Sequence, residues 1–145
     1  MIGVFSQSKK EIKKLKIKSV TSQVVVAGQL KKDDFKKFDG DGNTVEEIEF
    51  GDNGEIKRKV VSKYNSENDL IEELVYGPEG KLNEKVVISY NSFNEKSEEQ
   101  VFDFSDKLIR KIVYSYDKNG LRTEKKVVDA AGKVISQRSY IYETK

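Results

Sequence analysis

With 145 residues, the chain is long enough for one domain or one run of repeats. Equal shares of hydrophobic and charged residues, 36% each, leave little material for a deep core, and the net charge of +2 argues against a nucleic-acid binder. The chain has no cysteine and no histidine, which removes disulfides, thiolate nucleophiles and the commonest general base. We therefore expect no enzyme, and no catalytic, cofactor-binding or metal-binding residues.

The N-terminal region shows no targeting segment. Ile2–Phe5 is too short for the apolar part of a signal peptide, and no run approaches the roughly 20 apolar residues of a membrane span. A signal or lipid anchor removed ahead of this sequence stays open as an alternative. The lysine-rich stretch Lys9–Lys18 predicts a solvated face or an edge strand, with ambiguous helical periodicity near Lys10–Leu15.

An internal repeat of 26 residues is the strongest pattern in the chain. Aromatic residues recur at this interval, and glycines and glutamates recur with them; the aromatic series is Phe38, Tyr64, Tyr90, Tyr116 and Tyr142. A fixed period is typical of repeat proteins. We predict a single repeat domain over 1–145, with a degenerate first repeat at 12–37, full repeats at 38–63, 64–89, 90–115 and 116–141, and a truncated end at 142–145.

Each repeat carries two turn signals rich in Gly, Asn and Asp, residues that tolerate the positive φ angles of tight turns. One follows the aromatic residue, as in Asp117–Gly120, and the other lies halfway along, as in Gly51–Gly54. Between turns, the side chains alternate with the period of a strand. The sequence therefore predicts an all-β fold: an antiparallel meander of about five β-hairpin repeats, forming an open or curled sheet, with a closed barrel as the alternative.

The recurring glutamates predict a strand register. If the Gly51–Gly54 turn is a four-residue loop, Phe50 faces Glu55 and Glu46 faces Lys59. The same register pairs Glu72 with Lys85, Glu98 with Lys111, and Glu124 with Gln137. Adjacent glutamates such as Glu46 and Glu47 should point to opposite faces, so they cannot share a proton as a catalytic pair.

Two other residue patterns indicate binding. Asp39–Asn43 resembles the opening of a calcium loop, but Thr44 stands at the sixth position and we favour an ordinary turn. The second pattern is a stripe of tyrosines that should lie at one end of the strands. If exposed, it would bind a partner protein or a glycan; if buried, it is the core of a curved sheet. The stripe comprises Tyr64, Tyr90, Tyr114, Tyr116, Tyr140 and Tyr142.

The segment Tyr116-Asp117-Lys118-Asn119-Gly120 followed by Thr123 resembles the YD-repeat motif, and Asp129–Lys133 and Tyr140–Glu143 extend the similarity. Proteins of this rearrangement-hotspot-like family form hairpin repeats in bacterial surface scaffolds, adhesins and toxin wrappers. The resemblance implies a hairpin-repeat fold, a periplasmic or cell-surface location and no catalytic residue.

From these patterns we expect a non-catalytic structural or protein-binding repeat module of a bacterial cell envelope or surface assembly, with a protein partner. The alternative is a glycan-binding or small-molecule-binding domain that uses the tyrosine-rich face. We expect neither nucleic-acid binding nor a membrane span.

Overall fold

The computed structural model describes residues 7–145, so Ile2–Phe5 lies outside the described residues. A short helix precedes ten strands that pair in sequence order as an antiparallel meander, with β1 and β10 at the two edges. The all-β prediction is confirmed, and the sheet is open. The elements are α1 Lys9–Lys14, β1 Ser19–Val26, β2 Gln29–Phe38, β3 Thr44–Phe50, β4 Ile56–Tyr64, β5 Leu70–Tyr76, β6 Leu82–Tyr90, β7 Lys96–Asp103, β8 Leu108–Tyr116, β9 Arg122–Asp129 and β10 Val134–Ser139.

The chain divides into two compact units, one ending at Asn83 and the other comprising Glu84–Lys145. No helix among residues 7–145 has the length and apolar character needed to cross a membrane.

A single type of turn joins nearly all the strands. The N–H of its first residue donates to the C=O of its fifth, and the N–H of its fourth residue donates back to the C=O of the first, as in Asp117–Leu121 at 2.9 and 3.1 Å. The fourth residue adopts the left-handed conformation, with φ between 62° and 90°, which explains why Gly, Asn or Asp stands there. The predicted turn positions are confirmed. The turns begin at Asp39, Gly51, Asn65, Asn91, Asp103, Asp117 and Asp129.

Six of these turns begin with Asp or Asn, whose side chain closes the loop. The Asp117 Oδ1 accepts from the N–H of Asn119 at 2.9 Å and from that of Leu121 at 3.0 Å. A carboxylate or amide oxygen at the first position therefore satisfies two backbone donors that the turn would otherwise leave to water. This is the physical role of Asp117 in its turn.

The turn that begins with glycine obtains the same bond from another residue. The Glu55 carboxylate folds back over Gly51 and accepts from the Asn53 N–H at 2.9 Å. A Cβ on Gly51 would lie 2.0 Å from Glu55 Oε1, so a side chain at position 51 would exclude this arrangement. At this turn Glu55 thus supplies the acceptor that the first-position Asp or Asn supplies in the other six turns.

The predicted register is wrong by two residues. Glu46 lies opposite Val61 rather than Lys59. One residue of the difference arises because the turn occupies five residues, with the Gly51 N–H donating to the Glu55 C=O at 2.7 Å. The turn length predicted from the sequence had counted only the four residues with obvious turn character.

A β-bulge beside the turn supplies the second residue of the shift. Phe50 lies opposite Ile56, whereas Glu49 lies opposite Arg58, so Lys57 is the extra residue. A shift of two residues returns each side chain to its expected face, because strand side chains alternate with period two. Opposite charges predicted to face each other directly therefore meet diagonally.

The diagonal contacts replace the predicted direct pairs. Glu46 reaches Lys59 at 3.9 Å, Glu98 reaches Lys111 at 3.6 Å, and Gln137 Nε2 donates to Glu124 Oε2 at 2.6 Å. Within the first unit, Glu72 pairs with Lys63 at 3.3 Å across β4 and β5, and within the second unit Lys85 pairs with Asp106; the Glu72–Lys85 pair stays a prediction. Each is a partly exposed pair, worth only tenths of a kcal/mol to about 1 kcal/mol.

The degenerate first repeat is a hairpin with a tighter turn. Val26 pairs with Gln29 around Ala27 and Gly28, which have φ of 51° and 77°. This two-residue turn brings Thr21 opposite Phe35, one position away from the alignment that the 26-residue period predicts. The hairpin prediction is confirmed, and its first strand is offset by one residue.

The lysine-rich segment forms α1 rather than an edge strand. Ser8 caps the helix, its Oγ accepting from the Glu11 N–H at 3.2 Å, and Ile12 is buried while the lysines are exposed. A Cβ on Gly42 would lie 2.6 Å from the Lys9 carbonyl oxygen, so the close approach of the helix requires glycine at that turn. The solvated-face interpretation of the segment is confirmed.

Both faces of the sheet are partly wet. In β3, β5 and β9, every residue is half-buried, whereas a strand with one face on a core alternates between buried and exposed residues. Only five hydrophobic side chains in residues 7–145 are fully buried: Ile12, Phe38, Val60, Ile88 and Val101. The low hydrophobic share of the sequence thus corresponds to a thin structure held by pairing between strands.

We predict that Asp117→Ala lowers the free energy of unfolding by about 1 kcal/mol, because two backbone N–H groups lose their acceptor. Asp117→Asn should cost much less, since it retains the Oδ1 acceptor, as Asn65 and Asn91 show in their own turns. Urea titration followed by circular dichroism measures both, with Lys118→Ala as the control in the same turn. Equal losses for Asp117→Ala and Asp117→Asn would contradict the capping role.

Candidate functional site

The predicted tyrosine stripe lies at the ends of the even-numbered strands and just beyond β10. Within the second unit, Tyr114 and Tyr116 share one face of β8. The rings are half-buried, except that Tyr142 is 48% exposed. The stripe is therefore neither a core nor a fully exposed patch. We call Tyr64, Tyr90, Tyr114, Tyr116, Tyr140 and Tyr142 the tyrosine face.

Hydroxyls of the tyrosine face make a repeated bond to the backbone. Tyr64 donates to the Thr44 C=O at 2.8 Å, Tyr116 to the Lys96 C=O at 2.7 Å, and Tyr142 to the Arg122 C=O at 2.7 Å. Each acceptor lies 20 residues earlier and is the first residue of a strand. The first two bonds therefore tie the ends of β4 and β8 to the start of another strand, and the third ties the segment beyond β10 to the start of β9. We call this contact the tyrosine latch.

A polar cluster surrounds Tyr114 in the second unit. The Tyr114 hydroxyl donates to Glu99 Oε1 at 3.1 Å, and Lys96 Nζ donates to the same oxygen at 2.8 Å. The Arg122 guanidinium lies 4.1 Å from the centre of the Tyr114 ring, and Lys96 Nζ lies 5.5 Å from it. We call Lys96, Glu99, Tyr114 and Arg122 the Tyr114 cluster. It joins β7, β8 and β9.

The electrostatics of the cluster hold Tyr114 in its neutral form. Burial, followed by the negative charge of Glu99 and the hydrogen bond to it, raises the pKa of Tyr114 to about 12. A hydrogen bond to Tyr116 raises the pKa of Arg122 above its ordinary value, against the opposing effect of burial. At neutral pH the phenol is therefore a donor, and neither group is suited to accept a proton in a reaction.

The Tyr114 cluster has few hydrogen-bonding groups left for a ligand. The carboxylate, the ammonium and the phenol already satisfy one another, while Arg122 Nε is buried without a hydrogen-bond acceptor. An arginine between aromatic rings resembles the stacked arrangements by which proteins hold planar groups. Here the stacked groups are the protein's own Tyr114 and Tyr116 rings.

Tyr64 has an analogous environment in the first unit. Burial, followed by the charges of Glu73, Asp39 and Glu47, raises the pKa of Tyr64. Lys9 Nζ of α1 lies 5.9 Å from the centre of the Tyr64 ring. The stripe predicted from the sequence is thus divided between two local environments, each with its own cation.

The calcium-like segment Asp39–Asn43 forms one of the capped turns. Asp39 Oδ1 accepts from the N–H groups of Asp41 and Asn43, both at 2.9 Å, and the Asn43 amide donates to Asp39 Oδ2 at 3.1 Å. Burial raises the pKa of Asp39, but the hydrogen bonds from Asn43 and Asp41 outweigh it and hold the pKa below its usual value. Nowhere from residue 7 onward do three Asp or Glu side chains converge as metal ligands.

The sequence did not single out the partners of the tyrosines. Lys96 and Arg122 are 26 residues apart, at the repeat position that Thr44 also occupies. This spacing was a usable signal for the cluster, but the latch acceptor is a backbone carbonyl, which leaves no mark on residue type. Glu98 and Glu99 are adjacent glutamates like Glu46 and Glu47, for which the sequence predicted opposite faces. The structure places Glu98 against Lys111 and Glu99 against Tyr114, as expected for opposite faces.

Comparison with protein-family models and with curated proteins found no match.

We predict that Tyr116→Phe lowers the free energy of unfolding by about 1 kcal/mol, because the Lys96 carbonyl loses its donor. Tyr142→Phe removes the same kind of bond at an exposed position and should cost less. Thermal and urea unfolding of both variants measure the difference. Unchanged stability in Tyr116→Phe would show that the hydroxyl serves something other than the fold.

We predict that Glu99→Gln lowers the pKa of Tyr114 from about 12 toward 10, because the negative charge and the carboxylate acceptor are removed. The raised pKa also means that this group stabilises the fold below pH 10 and loses that contribution as pH rises toward 12. Chemical shifts of ring-labelled tyrosine report the titration, with Tyr114→Phe to assign the signal. A signal from Tyr114 that titrates alike in both proteins would contradict the assignment.

Proposed function

We propose that the protein is a non-catalytic structural or protein-binding repeat module of a bacterial cell envelope or surface assembly. The observation that carries the proposal is the pair of sheet edges at β1 and β10, whose outer backbone groups have no strand beside them among residues 7–145.

The β1 edge lacks the features by which proteins usually block strand addition. Ser19–Val26 contains no charged residue and no proline, and Val24, Val25 and Val26 are 42%, 66% and 49% exposed. Inward-pointing lysines, prolines and cover by a helix are the common protections of an edge. An uncharged and partly apolar edge of eight residues is suited to pairing with another strand.

The β10 edge is exposed along its whole length. All six residues of Val134–Ser139 are exposed, with Ile135 at 61%, and Arg138 is the one charged side chain of the strand. Its length would allow several main-chain hydrogen bonds to a partner. Affinity in strand addition comes mainly from such bonds, and specificity from the alternate side chains.

The state of the titratable groups supports a non-catalytic role. The most perturbed tyrosine, Tyr114, remains protonated at neutral pH and is bound to Glu99. The Asp39 carboxylate is committed to its own turn. These groups serve the fold, so we assign the protein a role in binding or scaffolding.

The envelope setting rests on the resemblance of Tyr116–Thr123 to the YD-repeat motif. The hairpin repeats and the capping role of Asp117 agree with that resemblance. We therefore favour a periplasmic or cell-surface location. The alternative, glycan or small-molecule binding at the tyrosine face, gains support from the partial exposure of Tyr142 and from Arg122 beside the Tyr114 ring.

We predict that a photo-crosslinking amino acid at Val25 or Gln137 captures a protein partner in bacteria that naturally express the chain. The same group at Lys118, in an exposed turn, is the control and should capture little. Mass spectrometry of the crosslinked bands identifies the partner. Absence of edge crosslinks, together with a carbohydrate-array signal that Tyr114→Ala abolishes, would favour the glycan-binding alternative.

A further inference from the structure

The joints between successive repeats share one register. A joint is the pairing of the last strand of one repeat with the first strand of the next. The ladder pairs at the four joints are Lys37 with Glu46, Lys63 with Glu72, Ser89 with Glu98, and Ser115 with Glu124. Both members advance by 26 residues each time, so the position of a fifth joint follows: Ile141 would be the next residue in the first series.

The last strand ends early at the point where this fifth joint would begin. β4, β6 and β8 extend to Tyr64, Tyr90 and Tyr116, whereas β10 ends at Ser139, three positions before Tyr142. In β4 and β8 the final tyrosine pairs with a residue of the following strand, Leu70 and Arg122 respectively. Among residues 7–145, β10 is the last strand of the order, and Ile141 is 91% exposed.

β1 is the kind of strand that the fifth joint lacks. In the ladder, Thr21 lies opposite Phe35 as Glu46 lies opposite Val61, and Phe35 and Val61 are 26 residues apart. Thr21 thus corresponds to Glu46, which lies opposite Lys37 at the first joint. The later joints have Glu72, Glu98 and Glu124 at the same position. Moreover, nothing in the pairing of residues 7–145 covers the outer side of β1, which is the first strand of the order.

The backbone directions of the two edges agree with this match. The Tyr140 N–H points to Thr123 of β9, and the Lys18 C=O accepts from Phe38 of β2. Because backbone groups of a strand alternate in direction, Ile141 and Ser139 point outward from β10, and Thr21 and Gln23 point outward from β1. With Ile141 opposite Thr21, the outward N–H and C=O groups of one edge therefore face the outward N–H and C=O groups of the other.

We propose that the occupant of the β10 edge is a second copy of this chain, which adds its β1 strand in the register of the four internal joints. This inference rests on the proposed function and names the partner. Ile141 pairs with Thr21 of the second copy, Tyr140 with Ser22 and Arg138 with Val24. The pairing is head-to-tail, with the β10 edge of one copy against the β1 edge of the next.

The charges of β1 and β10 favour a second copy of this chain over a strand of arbitrary sequence. β1 carries no charge and β10 only Arg138, so the joint opposes no like charges. The pairing also places Ile141 and the three exposed valines of β1 beside a strand of the other copy.

Disulfide formation between single-cysteine variants tests the pairing, because the chain has no cysteine of its own. Val24→Cys and Arg138→Cys are made as separate full-length proteins, one isotopically labelled, then mixed and oxidised. The two residues form a non-hydrogen-bonded pair in the proposed joint, where Cβ atoms are closest. We expect the mixture to yield predominantly the disulfide between the two variants, identified by intact mass.

The controls separate this pairing from others. Val24→Cys mixed with Ser139→Cys is out of register and should form little disulfide. Dimers of Val24→Cys alone or of Arg138→Cys alone, at yields matching the mixture, would indicate pairing of like edges and overturn the proposal. Equal yields from both mixtures would indicate random collision and also overturn it.

Sedimentation velocity of the wild-type chain over a wide concentration range supplies the non-covalent test. We expect concentration-dependent species larger than a monomer, lost in Ser139→Pro, which removes an outward N–H, and kept in Ser139→Ala, which retains it. Circular dichroism verifies that both variants fold. A monomer at every concentration overturns self-association; if the edge crosslinkers then capture a different protein, the proposed function stands, and if they capture none, both fail.

Discussion

Nearly every reversal of the chain depends on a short backbone contact, in which the N–H of the first turn residue meets the C=O of the fifth. The left-handed residue at the fourth position makes this geometry accessible, and the Asx oxygen at the first position holds it. Since the turn fixes which residues pair beside it, it also fixes the face on which every later side chain lies. The 26-residue period is the length of two such turns with their strands. A repeat can therefore vary in strand sequence while its turns stay recognisable.

A sheet with two wet faces obtains its stability differently from a sandwich. With Val60, Ile88 and Val101 among the few buried side chains, hydrophobic burial is spread thinly, and cross-strand contacts carry more of the fold. Lysines lie over aromatic rings on neighbouring strands, as with Lys85, 5.0 Å from the centre of the Phe102 ring. Such contacts contribute tenths of a kcal/mol to about 1 kcal/mol each at exposed sites. Their number compensates for their weakness, and this explains the high charged share of the sequence.

The sequence predicted the features that depend on local chemistry and missed those that depend on geometry between strands. Turn positions and the hairpin period follow from residue types, and the structure confirms them. The register was wrong because the fifth turn residue, Glu55, and the bulged residue, Lys57, look like ordinary strand residues. For the tyrosine face, the positions were predictable but the partners were not, because the latch binds a backbone carbonyl. The Arg122 contact depends on how β8 and β9 pair.

Repeats of this kind do not terminate the sheet that they form. Each interior strand satisfies its backbone on both sides, but the last strand of any number of repeats leaves one side open, and so does the first. Terminal repeats commonly solve this with a polar or irregular cap. Here α1 covers the first aromatic turn, near Gly42, and does not lie in the strand order beside β1. In the last described segment, Tyr142 continues the aromatic series and forms its latch to Arg122. The periodicity that stabilises the interior is therefore the same property on which the proposed pairing of β10 with β1 of a second copy depends.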